Sequence, residues 1–360
     1  MFMLSNRILT QIIIAVSEIT PLVRQNILSL KPYSCARDEF KGEAEAYLDA
    51  NENPLNYPYN RYPDPLQWTV KERIAAIKGI HPGQVFLGNG SDEAIDLVFR
   101  VFCEPRQDNV VAIDPTYGMY QVSADINDVE YRKVRLNADY SLDAQRVLDA
   151  ADENTKAIFL CSPNNPTANL LNRKEMLKIV HGFKGITVID EAYIDFSSEP
   201  SWLNELQKYP RLIVLQTFSK AWGLAGVRLG MAFASEEIID LYNKVKYPYN
   251  INVLTQRLVL DELEQVDRKA EWVSLLLKER KRLIDSLSKM EMVQEVFPTD
   301  ANFVLVRVAD ANAVYRYLVT KSIIVRNRNT VTLCEGCLRI TVGVETENDL
   351  LLKALEEYNA

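Results

Sequence analysis

The chain has 360 residues, 48% of them apolar and 25% charged, with only 13 Gly and 15 Pro. That balance excludes a disordered or collagen-like chain and leaves room for two or three domains with sizeable cores. The 41 Lys and Arg against 49 Asp and Glu leave a net charge of −8, a poor match for nucleic acid or an anionic membrane surface, and five scattered cysteines suit a reducing, cytoplasmic compartment.

The first apolar run, Ile8 to Val16, follows Arg7 but is interrupted by Gln11 and carries no small-x-small cleavage site before Glu18. It reads as a short helix or strand that packs on a partner, or as an untidy start before the first true element. Nothing approaches the roughly 18–20 apolar residues of a membrane span. Gly88-Asn89-Gly90-Ser91-Asp92-Glu93 then opens a helical pattern that runs from Ser91 to Phe102. Further on, apolar runs stop abruptly at polar residues: Val110–Ile113 at Asp114, Ala157–Cys161 at Ser162, Ile186–Ile189 at Asp190, and Leu212–Leu215 before Thr217. Continuous runs of this length predict strands buried on both faces of a parallel sheet, with a helix over Arg173 to Val180 between two of them. From Val253 to about Lys289 the chain has helical spacing without Gly or Pro, so it predicts one long helix or a broken pair. Beyond it lie strand patterns at Phe303–Val308 and Leu338–Val342, and helical ones at Ala311–Thr320 and Thr346–Tyr358. The fold class is therefore α/β: a large domain with a mostly parallel central sheet flanked by helices, and a smaller α+β C-terminal domain. The boundaries expected are an arm over 1–50, the large domain over 51–252 and the small domain over 253–360.

In such a fold, reactive groups belong just beyond the carboxyl ends of the strands. Thr217-Phe218-Ser219-Lys220 sits there, followed by Gly223, Gly226 and Arg228. A lysine in that position is either a solvated side chain or the partner of a carbonyl compound such as pyridoxal phosphate, with Arg228 available for a phosphate. Asp190 is a carboxylate at the end of a buried strand, costly there unless paired. It is either a helix cap or the partner of a pyridinium N–H, which it would keep protonated. Tyr193 and Asn165, in Asn164-Asn165-Pro166-Thr167, are either core and turn residues or donors to a ring oxygen. The Gly90-Ser91 helix start lacks the third glycine of a dinucleotide fingerprint and the lysine of a P-loop. It serves as a phosphate cradle, as an N-cap by Ser91, or as both. Tyr117 begins a helix after a strand and is either a core tyrosine or a ring that stacks on a planar cofactor.

These pieces occur in a fixed order: GNGSDE (88–93), PTYGMY (115–120), SPNNPT (162–167), DEAY (190–193), TFSKAWGLAGVRLG (217–230) and CLRITVG (337–343). The chain thereby resembles the class-II aminotransferases of fold type I, which use pyridoxal 5′-phosphate. YSCARDEFKG (33–42), LDANENP (48–54) and NRYPDP (60–65) narrow the resemblance to the histidinol-phosphate aminotransferases, from about Leu22 to the end. The resemblance implies that Lys220 carries the cofactor, Asp190 pairs with its ring nitrogen, Tyr193 and Asn165 bond its ring hydroxyl, and Tyr117 stacks on the ring. It implies that Ser91 and Asp92 amides, Ser219 and Arg228 hold the phosphate. It gives Tyr62 to the site of a partner subunit in a homodimer, and Arg339, Arg326, Tyr33 and Asn51 to the substrate. One departure is that the family's usual glycine after Asn-Pro-Thr is Ala168, a strained residue if the backbone there needs positive φ.

The implied reaction moves an amino group between histidinol phosphate and 2-oxoglutarate in two half-reactions, as a step of histidine biosynthesis. Lys220 acts as base and acid, and an arginine such as Arg339 accepts either a carboxylate or a phosphate. An aromatic aminotransferase, a threonine-phosphate decarboxylase and a non-catalytic cofactor-binding module remain alternatives on the same scaffold. Cys334-Glu335-Gly336-Cys337 has no second ligand pair for zinc, with only His81 and His181 elsewhere. It predicts a hairpin turn with two half-buried thiols, and no metal is expected.

Overall fold

The computed structural model of the chain describes residues 17–34 and 44–359. The Ile8–Val16 run and residues 35–42 of the first family motif lie outside the described residues.

One sheet has seven strands: β1 (Val85–Asn89), β2 (Asn109–Asp114), β3 (Glu130–Arg135), β4 (Thr155–Cys161), β5 (Ile186–Asp190), β6 (Leu212–Thr217) and β7 (Leu229–Phe233), in the order β1-β7-β6-β5-β4-β2-β3. Neighbours from β6 to β3 run parallel, and β7 is antiparallel to both β6 and β1. The apolar runs are continuous because alternate residues enter opposite cores. Ile189, Val214, Leu160 and Ile158 join one core with Val70 and Ile74 of α2 (Trp68–Lys78), after a short α1 (Gln25–Ser29). Ile213, Val188, Phe159 and Ala157 join the other with Val98 and Phe99 of α3 (Ser91–Phe102) and Tyr120 of α4 (Met119–Ile126). The first face is completed by α5 (Ala144–Asp149) and α6 (Arg173–Gly182), the second by α7 (Glu236–Val245).

The C-terminal helical stretch is a broken pair, α8 (Val253–Leu263) and α9 (Val266–Leu287). Asn252 caps α8 by accepting from the Thr255 amide at 2.9 Å. Val259 and Leu263 of α8 pack into the large sheet's core, whereas Leu283 and Leu287 of α9 pack under the second sheet. That sheet is antiparallel, ordered β10-β11-β9-β8, with β8 (Val293–Val296), β9 (Phe303–Val308), β10 (Arg326–Asn327) and β11 (Cys337–Thr341). Helices α10 (Ala311–Thr320) and α11 (Glu345–Asn359) cover it. A small cluster of Ala168, Tyr193, Phe196, Ala221 and Phe303 ties the two sheets together beside the strand ends.

Two local expectations are corrected. Cys334 and Cys337 do form a turn, with the Cys337 amide donating to Cys334 O at 2.9 Å, but both thiols are fully buried, because the turn folds onto the core beside Tyr140. Helix α4 starts at Met119, with Gly118 as its N-cap, so Tyr117 precedes the helix.

Candidate active site

The parallel strands bring their carboxyl ends to one edge of the large sheet. There a cleft of about 790 Å³ is lined by residues of both sheets. Its floor begins at the N-terminus of α3. Gly90 is the N-cap at φ 74, a left-handed value that glycine adopts without strain, and a Cβ there would lie 2.8 Å from Arg228 Nη2. Ser91 is thus the first helical residue and not the cap. Gly230 of β7 lets the strand touch this helix end, since a Cβ on it would sit 2.1 Å from Ser91 N. The first-turn amides have no acceptor within the helix and carry its positive dipole end. Arg228 reaches in from the left-handed residue before β7, 3.8 Å from Asp92, and Asp92 also accepts from the Tyr117 hydroxyl at 3.0 Å. The Ser219 amide is held by Thr217 Oγ1 at 3.1 Å.

Deeper in, Asp190 ends β5 with 3% exposure. It accepts from the Tyr120 hydroxyl at 2.8 Å and from the Ala192 amide at 3.0 Å, and burial pushes its carboxyl up to about 6. Lys220 sits with Nζ 5.4 Å from the Tyr193 ring. Burial and then the charge of Arg339 hold its ammonium below the ordinary lysine value, with Asp190 opposing them. Asn165 accepts from Arg339 Nη1 at 2.5 Å. Its loop is fixed from behind by Asn164, which donates to Pro115 O and Thr167 Oγ1 and accepts from Thr116 Oγ1 at 2.9, 2.7 and 2.9 Å. Ala168 closes the loop at φ 70, the left-handed conformation its place implies.

Ser91, Asp92, Tyr117, Asn165, Asp190, Tyr193, Ser219, Lys220, Arg228, Arg326 and Arg339 all line this one cleft. Tyr33, Asn51 and Tyr62 do not line it. Tyr33 is 70% exposed, and Tyr62, 51% exposed, stacks on Tyr249 with centroids 4.5 Å apart. Arg328, Tyr120 and Asn164 were not foreseen. Tyr120 carried a signal in the same PTYGMY segment, and Arg328 one in its two-residue spacing from Arg326. Among the described residues no group of three or more His, Cys, Asp or Glu is placed to hold a metal ion.

The donor set suits a planar, phosphorylated pyridine. The helix end, Ser219 and Arg228 form an anion cradle, and Asp190 is a buried carboxylate short of a cationic donor. Arg339 Nε is buried with no partner, a donor waiting for an anion. Lys220, Arg228, Arg326, Arg328 and Arg339 outnumber Asp92 and Asp190 in the cleft wall of an acidic chain.

The chain is also similar to known proteins. The family model for aminotransferase class I and II matches residues 35–355. A histidinol-phosphate aminotransferase of Parabacteroides distasonis is 59% identical over 339 residues, covering 94% of this chain and 98% of the relative. The crystal structure of the histidinol-phosphate aminotransferase from Clostridium acetobutylicum superposes with a TM-score of 0.77 at 25% identity, covering 84% of this chain and 91% of that one. The enzyme of that name from Sinorhizobium meliloti, solved in complex with pyridoxal-5′-phosphate, shares the fold at a TM-score of 0.76 and 22% identity, covering 83% of each chain.

Proposed function

The chain belongs to the class I and II aminotransferase family, and from that premise we infer that it transfers an amino group between histidinol phosphate and 2-oxoglutarate, with pyridoxal 5′-phosphate as cofactor. The observation that carries the chemistry is the convergence of Lys220, Asp190 and the α3 N-terminus on one cleft. When bound, the cofactor supplies an electron sink for the bond broken at the substrate's α-carbon. The protein's residues do the rest. Asp190, desolvated and braced by Tyr120 and Ala192, would hold the ring nitrogen's proton. Lys220 would anchor the cofactor, and its Nζ, with an ammonium held low by burial, would take and return the substrate's α-proton. The amides of Ser91 and Asp92, Ser219 and Arg228 would fix the phosphate, Tyr117 the ring face, and Asn165 and Tyr193 the ring hydroxyl. Arg339, with Arg326, would orient the anionic end of either substrate.

The decarboxylase and non-catalytic readings lack support of this kind, because relatives at this identity over 94% of the chain are aminotransferases by name. A homodimer fits the exposed Leu55, Tyr57, Tyr59 and Tyr62 outside the cleft, and a cytoplasmic setting fits the free thiols of Cys103, Cys161, Cys334 and Cys337. In the dimer, Tyr62 would complete the neighbouring subunit's phosphate site, and Tyr33 and Asn51, which do not line their own chain's cleft, would contact the substrate. Among the described residues no helix is long and apolar enough to cross a membrane.

The test is a transamination panel with 2-oxoglutarate as acceptor. Histidinol phosphate should exceed phenylalanine and tyrosine in kcat/KM by at least about tenfold, the scale set by burying one extra charged hydrogen-bonding group. Preference for an unphosphorylated aromatic donor, or release of carbon dioxide from threonine phosphate, would refute the reading.

A further inference from the structure

The small sheet brings more positive charge to the cleft than one carboxylate can use. Arg326 on β10 lies directly opposite Arg339 on β11 in the antiparallel register. Arg328 follows two residues later, the spacing that returns a side chain to the same face of a strand. Its amide prolongs the ladder by donating to Cys337 O at 2.9 Å, and all three guanidiniums line the cleft.

These arginines are short of counter-charges. Among the described residues none of them forms an ion pair with a carboxylate, and the Nε atoms of both Arg328 and Arg339 are buried without a partner. Arg339 uses one Nη on Asn165, whereas Arg328 donates from no side-chain nitrogen to any described residue. Burial, then the charges of Arg339 and Arg326, bring the Arg328 guanidinium down to about 10, still charged at neutral pH. Arg326 is exposed, but Arg328 and Arg339 are partly buried beside it, and like charges drawn together and partly desolvated are costly until an anion of matching charge arrives.

The cofactor's phosphate has its own cradle at α3, so the arginine trio faces the substrates. A carboxylate is planar, singly charged and satisfied by one guanidinium fork. A phosphomonoester carries about −1.5 to −2 at neutral pH and offers three acceptor oxygens. Resting on the function proposed above, we propose that Arg328 is a specificity-determining residue that donates to the phosphate end of histidinol phosphate and makes no bond when a glutamate carboxylate takes the same place. Arg326 and Arg339 serve both substrates, and Arg328 tells them apart.

The test uses the holoenzyme and two variants, Arg328→Gln and Arg328→Lys, with unchanged visible cofactor absorbance as the check on folding. In Arg328→Gln the preference for histidinol phosphate over histidinol in kcat/KM should shrink at least tenfold, while the glutamate half-reaction stays within threefold. Arg328→Lys, which keeps the charge but not the fork, should lose less. Calorimetry with two unreactive probes reads the same point without turnover: affinity for glycerol 3-phosphate should weaken at least tenfold and affinity for glutarate should hold within threefold. Equal losses on phosphate and carboxylate ligands, unchanged glycerol 3-phosphate affinity, or loss of cofactor from both variants would overturn the role of Arg328. A wild-type enzyme that transaminates glutamate but not histidinol phosphate would instead overturn the substrate, and the glycerol 3-phosphate measurement would still decide Arg328.

Discussion

Lys220 is made useful by its neighbours. Burial first, and Arg339 second, lower its affinity for a proton, so more of it stands as free amine near neutrality than in an exposed lysine. Replacing Arg339 by Gln removes a positive neighbour and should raise the lysine's pKa. In the apoenzyme, arylation of Lys220 followed by mass spectrometry should show a midpoint below 10.5 in the wild type. That midpoint should move up in Arg339→Gln; an unmoved or lower midpoint would remove the coupling. Ala168 shows the opposite kind of constraint. At φ 70 an alanine costs about 1–2 kcal/mol. Its buried methyl returns about 0.8 kcal/mol, and the stiffer unfolded chain about 0.4–1 kcal/mol more relative to glycine. The terms nearly cancel, which explains how the loop keeps its geometry without the glycine.

At the scale of elements, the phosphate cradle depends on how closely β7 and α3 approach. Gly230→Ala would drive a methyl into the Gly90 and Ser91 backbone, at 2.2 and 2.1 Å from its nearest atoms, and neither can yield without moving the helix end. Affinity for pyridoxal phosphate should fall at least about tenfold, the equivalent of one lost charge-assisted hydrogen bond. Equilibrium dialysis showing wild-type affinity would contradict that arrangement. The same elements show what the sequence made legible. β2, β4, β5 and β6 were readable because burial on both faces demands unbroken apolar runs, and those runs stop where Asp190 and the Ser219-Lys220 pair begin. β3 was not, because as an edge strand it reads Glu-Tyr-Arg-Lys-Val-Arg and stays partly exposed. β10 is two residues long, too short for any period, so Arg326 was reached only through family resemblance and Arg328 not at all.

For the whole molecule, the two sheets matter because the cleft needs both. The large sheet supplies the carboxylate, the lysine and the cradle, and the small one supplies the arginines. A dimer would add the last piece. If Tyr62 serves the neighbouring subunit, Tyr62→Phe should weaken cofactor retention about tenfold without changing the oligomeric mass, for the loss of one hydrogen bond to a charged group. Identical retention would take Tyr62 out of the site. The account as a whole stands on where the cofactor is attached. Borohydride reduction of the holoenzyme, followed by peptide mapping, should place the label on Lys220 alone, and a label on any other lysine, or on none, would contradict it.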